Sequence, residues 1–167
     1  PYNLDKDFHG DKFSAMKVGD YEDYLRSWFH KVCDKLKDNG TLYMCGDWKC
    51  TSSMQRVIEE RLTIINRISW QREKGRGAKS NWKNGMEDIW FAVKNTKDYH
   101  FCVEDVMIRR KVIAPYKIDG QPKDWEETNE GNFRTTYPSN FWDDISIPFW
   151  SMPENTDHPT QKPEKLY

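Results

Sequence analysis

No apolar stretch in this 167-residue sequence approaches the ~18 residues needed to span a bilayer. No basic-then-apolar leader opens it. Charge of one sign is also lacking: 26 Lys and Arg stand against 27 Asp and Glu, so the net field selects no partner. Glycine is sparse, and no G-x-G-x-x-G or G-x-x-x-x-G-K-[ST] loop is present to cradle a phosphate. There is no H-E-x-x-H and no G-x-S-x-G, which removes the simplest zinc-protease and hydrolase readings. Cysteine is limited to Cys33, Cys45, Cys50 and Cys102, without paired short spacings. These read as reduced core thiols of a cytoplasmic protein, with no metal site. The four histidines are scattered, and His30 falls within a helical pattern, where it reads as structural.

Tryptophan is what the chain has in excess, with eight residues, and such rings either fill a core or line a surface that meets something flat. Tyr21, Tyr24, Leu25, Trp28, Phe29, Val32 and Leu36 fall at helical spacing and predict a helix over 20–37, with Asp20 as N-cap and the Asp-Asn-Gly at 38–40 as its stop. TLYMCG at 41–46 predicts a buried strand. Ser52 and Gln55 resemble a capping box for a second helix, whose apolar face carries Met54, Val57, Ile58 and Leu62. Strands follow at 63–70 and 88–93. Their connection is too short for a helical crossover, so the third strand is expected to run antiparallel to the second.

This alternation implies an α/β layered fold. From 95 to 157 the rhythm is lost, apart from strand-like fragments at 99–103 and 106–114, and the segment reads as an insertion hung on the sheet. Phe141-Trp142 and Phe149-Trp150 are expected to pack into that insertion's own small core.

Three places have chemical potential. Pro1-Tyr2-Asn3 would lie just past the carboxyl end of a strand, where open α/β sheets bind ligands, although by itself it reads as a turn. The loop 71–85 carries Arg72, Lys74, Arg76, Lys79 and Lys83 against Glu73 alone, with Trp82 among them. Cations that displace counterions from phosphates and a ring that stacks suit a polyanion, and a solvated surface loop is the plainer alternative. Arg109, Arg110 and Lys111 form a second basic cluster, beside an acidic stretch with which they could simply pair.

Two motifs give these places a context. Pro1-Tyr2-Asn3 matches the end of an Asp-Pro-Pro-Tyr-Asn motif, and His158-Pro159-Thr160-Gln161-Lys162-Pro163 matches a second motif at a compatible distance. With EDIWFAV at 87–93 between them, the chain resembles the β group of S-adenosylmethionine-dependent DNA amino-methyltransferases, which modify adenine N6 or cytosine N4. The resemblance covers essentially the whole chain. It implies a partial Rossmann-like methyltransferase sheet, mostly parallel with one antiparallel strand, divided into a catalytic half at 1–94, a target-recognition insertion at 95–157 and the start of a cofactor-side segment at 158–167. It also implies a fragment, with the motif's acid upstream of Pro1 and a Phe-x-Gly-x-Gly cofactor loop downstream of Tyr167; such a piece is expected to be inactive in isolation.

The implied roles are Pro1, Tyr2 and Asn3 for catalysis, with Tyr2 the stacking ring, and His158, Thr160 and Lys162 toward the cofactor. Arg72, Lys74, Arg76, Lys79, Trp82, Lys83, Arg109, Arg110 and Lys111 would meet double-stranded DNA. The implied function is site-specific adenine-N6 methylation with base flipping, as in restriction–modification pairs with a cognate endonuclease. Cytosine-N4 methylation and a non-catalytic DNA-binding module are the alternatives.

Overall fold

A computed structural model describes residues 2–8, 11–73, 77–113, 116–158 and 160–167. The chain divides into two compact units. One runs from the start of the chain to His100 and resumes at Asn140–Tyr167; the other is Phe101–Ser139.

In the first unit the elements are β1 (Lys6–Phe8), β2 (Asp11–Phe13), α1 (Val18–Lys35), β3 (Thr41–Gly46), α2 (Thr51–Glu59), β4 (Thr63–Gln71) and β5 (Met86–Val93). The helix α1 buries Tyr21, Leu25, Phe29 and Cys33, spaced four apart, so one stripe faces inward. Its N-cap is Lys17, with no side-chain cap; Asp20 lies inside the first turn, where its charge favours the helix dipole instead of capping. The expected capping box of Ser52 and Gln55 is likewise absent, because α2 begins at Thr51 with Cys50 as N-cap. Leu25 is fully buried, and truncating it to alanine would cost about 2–5 kcal/mol.

β5 is the centre of the unit. Seven of its eight residues are buried, so it is covered on both faces. It pairs antiparallel with β3 on one side and with β4 on the other, in the order β11-β4-β5-β3 once β11 (Phe141–Trp142) is added. The antiparallel pairing of β4 with β5 follows the sequence expectation. The mostly parallel sheet does not hold: among the described residues only β11 and β4 are paired in parallel. β5 wedges between β3 and β4, so the two strands joined through α2 never hydrogen-bond to each other, and the wedge turns both of their pairings antiparallel. The α/β layering itself is present.

The sheet separates two apolar clusters. On one face Met44, Trp90 and Ala92 pack under α1 and α2. At Gly46 the approach of α2 is so close that any Cβ would collide with the Met54 sulfur. On the other face Ile68, Trp70, Ile89, Phe91 and Val93 are covered by Tyr99, Trp142, Ile145, Ile147 and Leu166. Trp142 thus packs on this sheet and not in the core of the insertion, while Phe149 and Trp150 are 53% and 91% exposed. Cys33 and Cys50 are buried as expected, Cys45 is half-buried, and Cys102 is exposed and not a core thiol. Beyond Pro163 the chain forms only a short 3-10 turn at Glu164–Leu166.

The second unit holds a 3-10 turn at Val103–Val106, β6 (Ile108–Lys111), β7 (Lys117–Ile118), β8 (Gln121–Pro122), β9 (Glu126–Thr128) and β10 (Gly131–Thr136). β10 lies between β6 and β9 in an antiparallel sheet. Asp119 and Gly120, both at positive φ, close the β7–β8 hairpin, as an Asp-Gly turn requires. Of the fragments expected from sequence, 99–103 forms no strand and 106–114 narrows to β6. Among the described residues no helix is long and apolar enough to cross a membrane.

Candidate functional site

Glu87 and Asp88 follow Met86 at the start of β5, and the alternation of a strand sends them to opposite faces. Both are buried, at 4% exposure, so each needs compensating partners. On the helix face, Asp88 receives both arms of the Arg67 guanidinium, Nε at 2.8 Å and Nη2 at 3.0 Å, and the Thr51 hydroxyl at 2.6 Å.

On the other face, Glu87 accepts a short hydrogen bond from the Tyr2 hydroxyl. Arg72 Nη1 lies 2.5 Å from its Oε1, and Lys162 Nζ lies 3.0 Å from its Oε2. The Lys162 side chain is only 9% exposed. Its ammonium sits 4.6 Å from the centre of the Tyr2 ring and 5.6 Å from that of Trp70, within cation–π range of both. Trp70 is fully buried and held by its indole N–H, which donates to the Ile145 carbonyl at 2.7 Å. The first motif and the last therefore meet, through Tyr2 and Lys162, over one carboxylate.

The electrostatics follow from that geometry. Burial pushes the Glu87 carboxyl up, but the Tyr2 hydroxyl, the Lys162 ammonium and Arg72 outweigh it and hold the group below the usual carboxylate range. Burial and the adjacent carboxylate push the Tyr2 phenol well above its ordinary value, so it remains a neutral donor. Burial also raises the Cys45 and Cys50 thiols, which argues against either as a thiolate nucleophile.

Asn3 joins this corner to the neighbouring loops. Its amide exchanges two hydrogen bonds with the Met16 backbone, at 2.9 and 2.7 Å, and its backbone N–H points at Cys50 Sγ, 3.3 Å away. A cleft of about 270 Å³ opens beside it, between Asp5, Ala15, Asp47 and Lys49. Pro1 lies outside the described residues.

The remaining expected site residues are dispersed. His158 is exposed, and its Nδ1 accepts from the Thr160 N–H at 3.3 Å; Thr160 is half-buried. In the basic loop, Lys74 and Arg76 lie outside the described residues. Arg72 is drawn into the Glu87 cluster, and Lys83 pairs with Glu73 at 2.5 Å. Lys79 is exposed and has no ion pair among the described residues. Trp82 is 98% exposed and faces Trp48, Lys49, Asn81 and Asn84 across a broad groove of about 720 Å³. In the second unit, Arg109 stacks on Phe133 at 4.2 Å, and Arg109, Arg110 and Lys111 are exposed without ion pairs among the described residues. Sequence reasoning missed Glu87 as the hub. Its signal was an acid opening an otherwise continuous buried run.

Comparison with known proteins decides the family: the profile described as DNA methylase, of the N6/N4 type, matches residues 1–167. The chain belongs to the N6/N4 DNA methylase family. Relatives include the Type II methyltransferase M.HpaI of Haemophilus parainfluenzae, 26% identical over 169 residues, which are 100% of this chain and 49% of that protein. DNA adenine methyltransferase YhdJ of Escherichia coli strain K12 is 29% identical over 177 residues, 99% of this chain and 55% of that protein. Type II methyltransferase M1.MboII of Moraxella bovis is 30% identical over 110 residues, 65% of this chain and 41% of that protein. The DNA methylase chain thus spans about half the length of the curated relatives it matches.

N6/N4 DNA methylases take their methyl group from S-adenosylmethionine. The cleft at the motif corner does not hold it by itself. The cleft beside Asn3, at about 270 Å³, is smaller than the ~300–1,000 Å³ usual for such ligands. The cation expected to approach it, Lys162, is already committed to Glu87 and two rings.

Proposed function

We propose that this DNA methylase chain forms the base-holding half of a cytoplasmic, site-specific enzyme that methylates adenine N6 in duplex DNA. The meeting of Tyr2 with Lys162 over Glu87 supports that reading, because it makes one corner out of the two motifs that carry the family resemblance. The name of YhdJ favours adenine over cytosine.

In this reading the target adenine swings out of the duplex, at a cost of a few kcal/mol, and stacks on the half-buried Tyr2 ring. S-adenosylmethionine, when bound, supplies an electrophilic methyl group. The protein's own residues hold the acceptor. Tyr2 fixes the plane of the base, and its hydroxyl is tied to Glu87 and is not available to move protons. Glu87 has both oxygens occupied, so it is not the group that takes the amine proton. The base's exocyclic amine is a weak nucleophile because its lone pair is delocalised into the ring. Preorganised acceptors for its hydrogens would localise that pair and stabilise the charge that grows on nitrogen.

DNA is engaged by two basic clusters. Arg109, Arg110 and Lys111 in the second unit, with Lys74, Arg76 and Lys79 in the basic loop, neutralise phosphates, which positions the duplex. Trp82 and Trp48 offer a stacking surface for an unpaired base.

The test is methyl transfer by the complete protein from labelled S-adenosylmethionine to duplex DNA, followed by nucleoside analysis. Label in N6-methyladenine supports the reading. Label in N4-methylcytosine moves the substrate to cytosine, and DNA binding without any label leaves a binding module.

A further inference from the structure

Tyr2 has no regular element to hold it. It lies in irregular chain ahead of β1, yet a ring that stacks a base must keep one plane. Resting on the reading that Tyr2 stacks the flipped base, we propose that Glu87 and Lys162 are positioning residues that lock Tyr2 as a one-sided platform, Glu87 through the hydroxyl and Lys162 through the back face of the ring.

Two restraints are needed to fix a tyrosine ring, and the structure supplies both. The hydroxyl is anchored to Glu87, which belongs to the most buried strand of the sheet. The ammonium of Lys162 stands 4.6 Å from the ring centre and closes that face to a planar ligand. Trp70 presents its own ring to the same ammonium at 5.6 Å, so two aromatic surfaces hold the cation. Arg72 holds the second carboxylate oxygen and keeps Glu87 from rotating toward Tyr2 or away from it. A base then has one face of Tyr2 left to stack on. The cation at the back also draws electron density from the ring, which favours contact with an electron-rich purine on the front.

The arrangement removes Lys162 from direct service to the cofactor. Its ammonium contacts Glu87 at 3.0 Å and the Thr160 carbonyl at 3.5 Å, besides the two rings. A cofactor carboxylate would have to compete with Glu87 for that ammonium.

The test uses the complete protein and a duplex in which 2-aminopurine replaces the base that sequencing of methylated DNA identifies as the target. Fluorescence of the probe rises when it leaves the stack, and cofactor affinity is measured separately by calorimetry. Lys162→Met keeps the stem and removes the charge. Since Lys162→Met removes one of the two cations paired with the buried Glu87, the double variant Glu87→Gln/Lys162→Met is tested beside it; it removes both charges and is expected to fold. In both variants the platform is expected to bind the extruded base about ten-fold more weakly, with cofactor affinity held within about two-fold. A flipping signal equal to that of the unmodified protein in the folded double variant overturns the proposal. So does lost cofactor affinity with flipping intact, which would return Lys162 to the cofactor. An unmodified protein that methylates its target without any probe signal removes the flipped-base reading on which the proposal stands.

Discussion

Glu87 and Asp88 are adjacent on β5 and face opposite sides of the sheet: Glu87 gathers Tyr2, Arg72 and Lys162, and Asp88 gathers Arg67 and Thr51. One acid therefore serves the candidate site and its neighbour serves the packing of α2 on the sheet.

The two roles separate by mutation. Asp88→Ala strands the Thr51 hydroxyl and one half-exposed guanidinium, and should lower stability by about 2 kcal/mol in urea unfolding. Base binding by the folded variant should stay unchanged. A loss below about 0.5 kcal/mol would contradict the structural role.

Part of the acid sensitivity should trace to Glu87, the buried one of the carboxyls held below their ordinary value. Its carboxyl titrates below its ordinary value in the folded chain, so its contribution is present above the unfolded value of about 4.3 and is lost as pH falls through the lower folded value. Glu87→Gln should flatten the fall in stability below about pH 4, measured by chemical unfolding at several pH values. An identical acid limb in the variant would remove Glu87 from the groups that set it.

Trp70 ties the 140–147 segment to β4 through its bond to the Ile145 carbonyl. Trp70→Phe leaves that carbonyl without its partner, at a cost of about 1–3 kcal/mol. Limited proteolysis should then cut within 143–157 faster than in the unmodified chain. Equal rates would show that packing alone holds the segment.

Replacing Arg109, Arg110 and Lys111 by alanine in the complete protein should weaken binding to duplex DNA. The slope of log affinity against log salt should shrink by about 0.9 for each phosphate contact removed. The same holds for Lys74, Arg76 and Lys79 in the basic loop. An unchanged slope counts against either cluster as a phosphate contact.

Much of the fold was legible because its apolar periods are strong. The apolar stripe from Tyr21 to Leu36 placed α1 within two residues, and TLYMCG coincided with β3. What local pattern could not reveal was pairing. That β5 wedges between β3 and β4 depends on contacts distant in sequence, and it overturned the mostly parallel sheet. Caps failed for a related reason: Asp20 and Ser52 have the right side chains, but the helices start a residue or two before them.

In the site, Tyr2 and Lys162 were legible as motif residues. Glu87, 85 residues from the tyrosine that bonds to it, was hidden because an acid one residue into an apolar run looks like an ordinary strand edge. Arg72 read as one more loop cation, and only the fold shows that it turns inward.

The central claim is that Tyr2 presents its ring to the target base. The most direct measurement is the initial rate of methyl transfer to duplex DNA by Tyr2→Ala and Tyr2→Phe in the complete protein. Base stacking on an aromatic ring contributes about 1–3 kcal/mol, so Tyr2→Ala should lose roughly ten- to a hundred-fold in kcat/KM. Tyr2→Phe keeps the ring and should retain most of the rate. A Tyr2→Ala enzyme that methylates as fast as the unmodified protein would contradict the account.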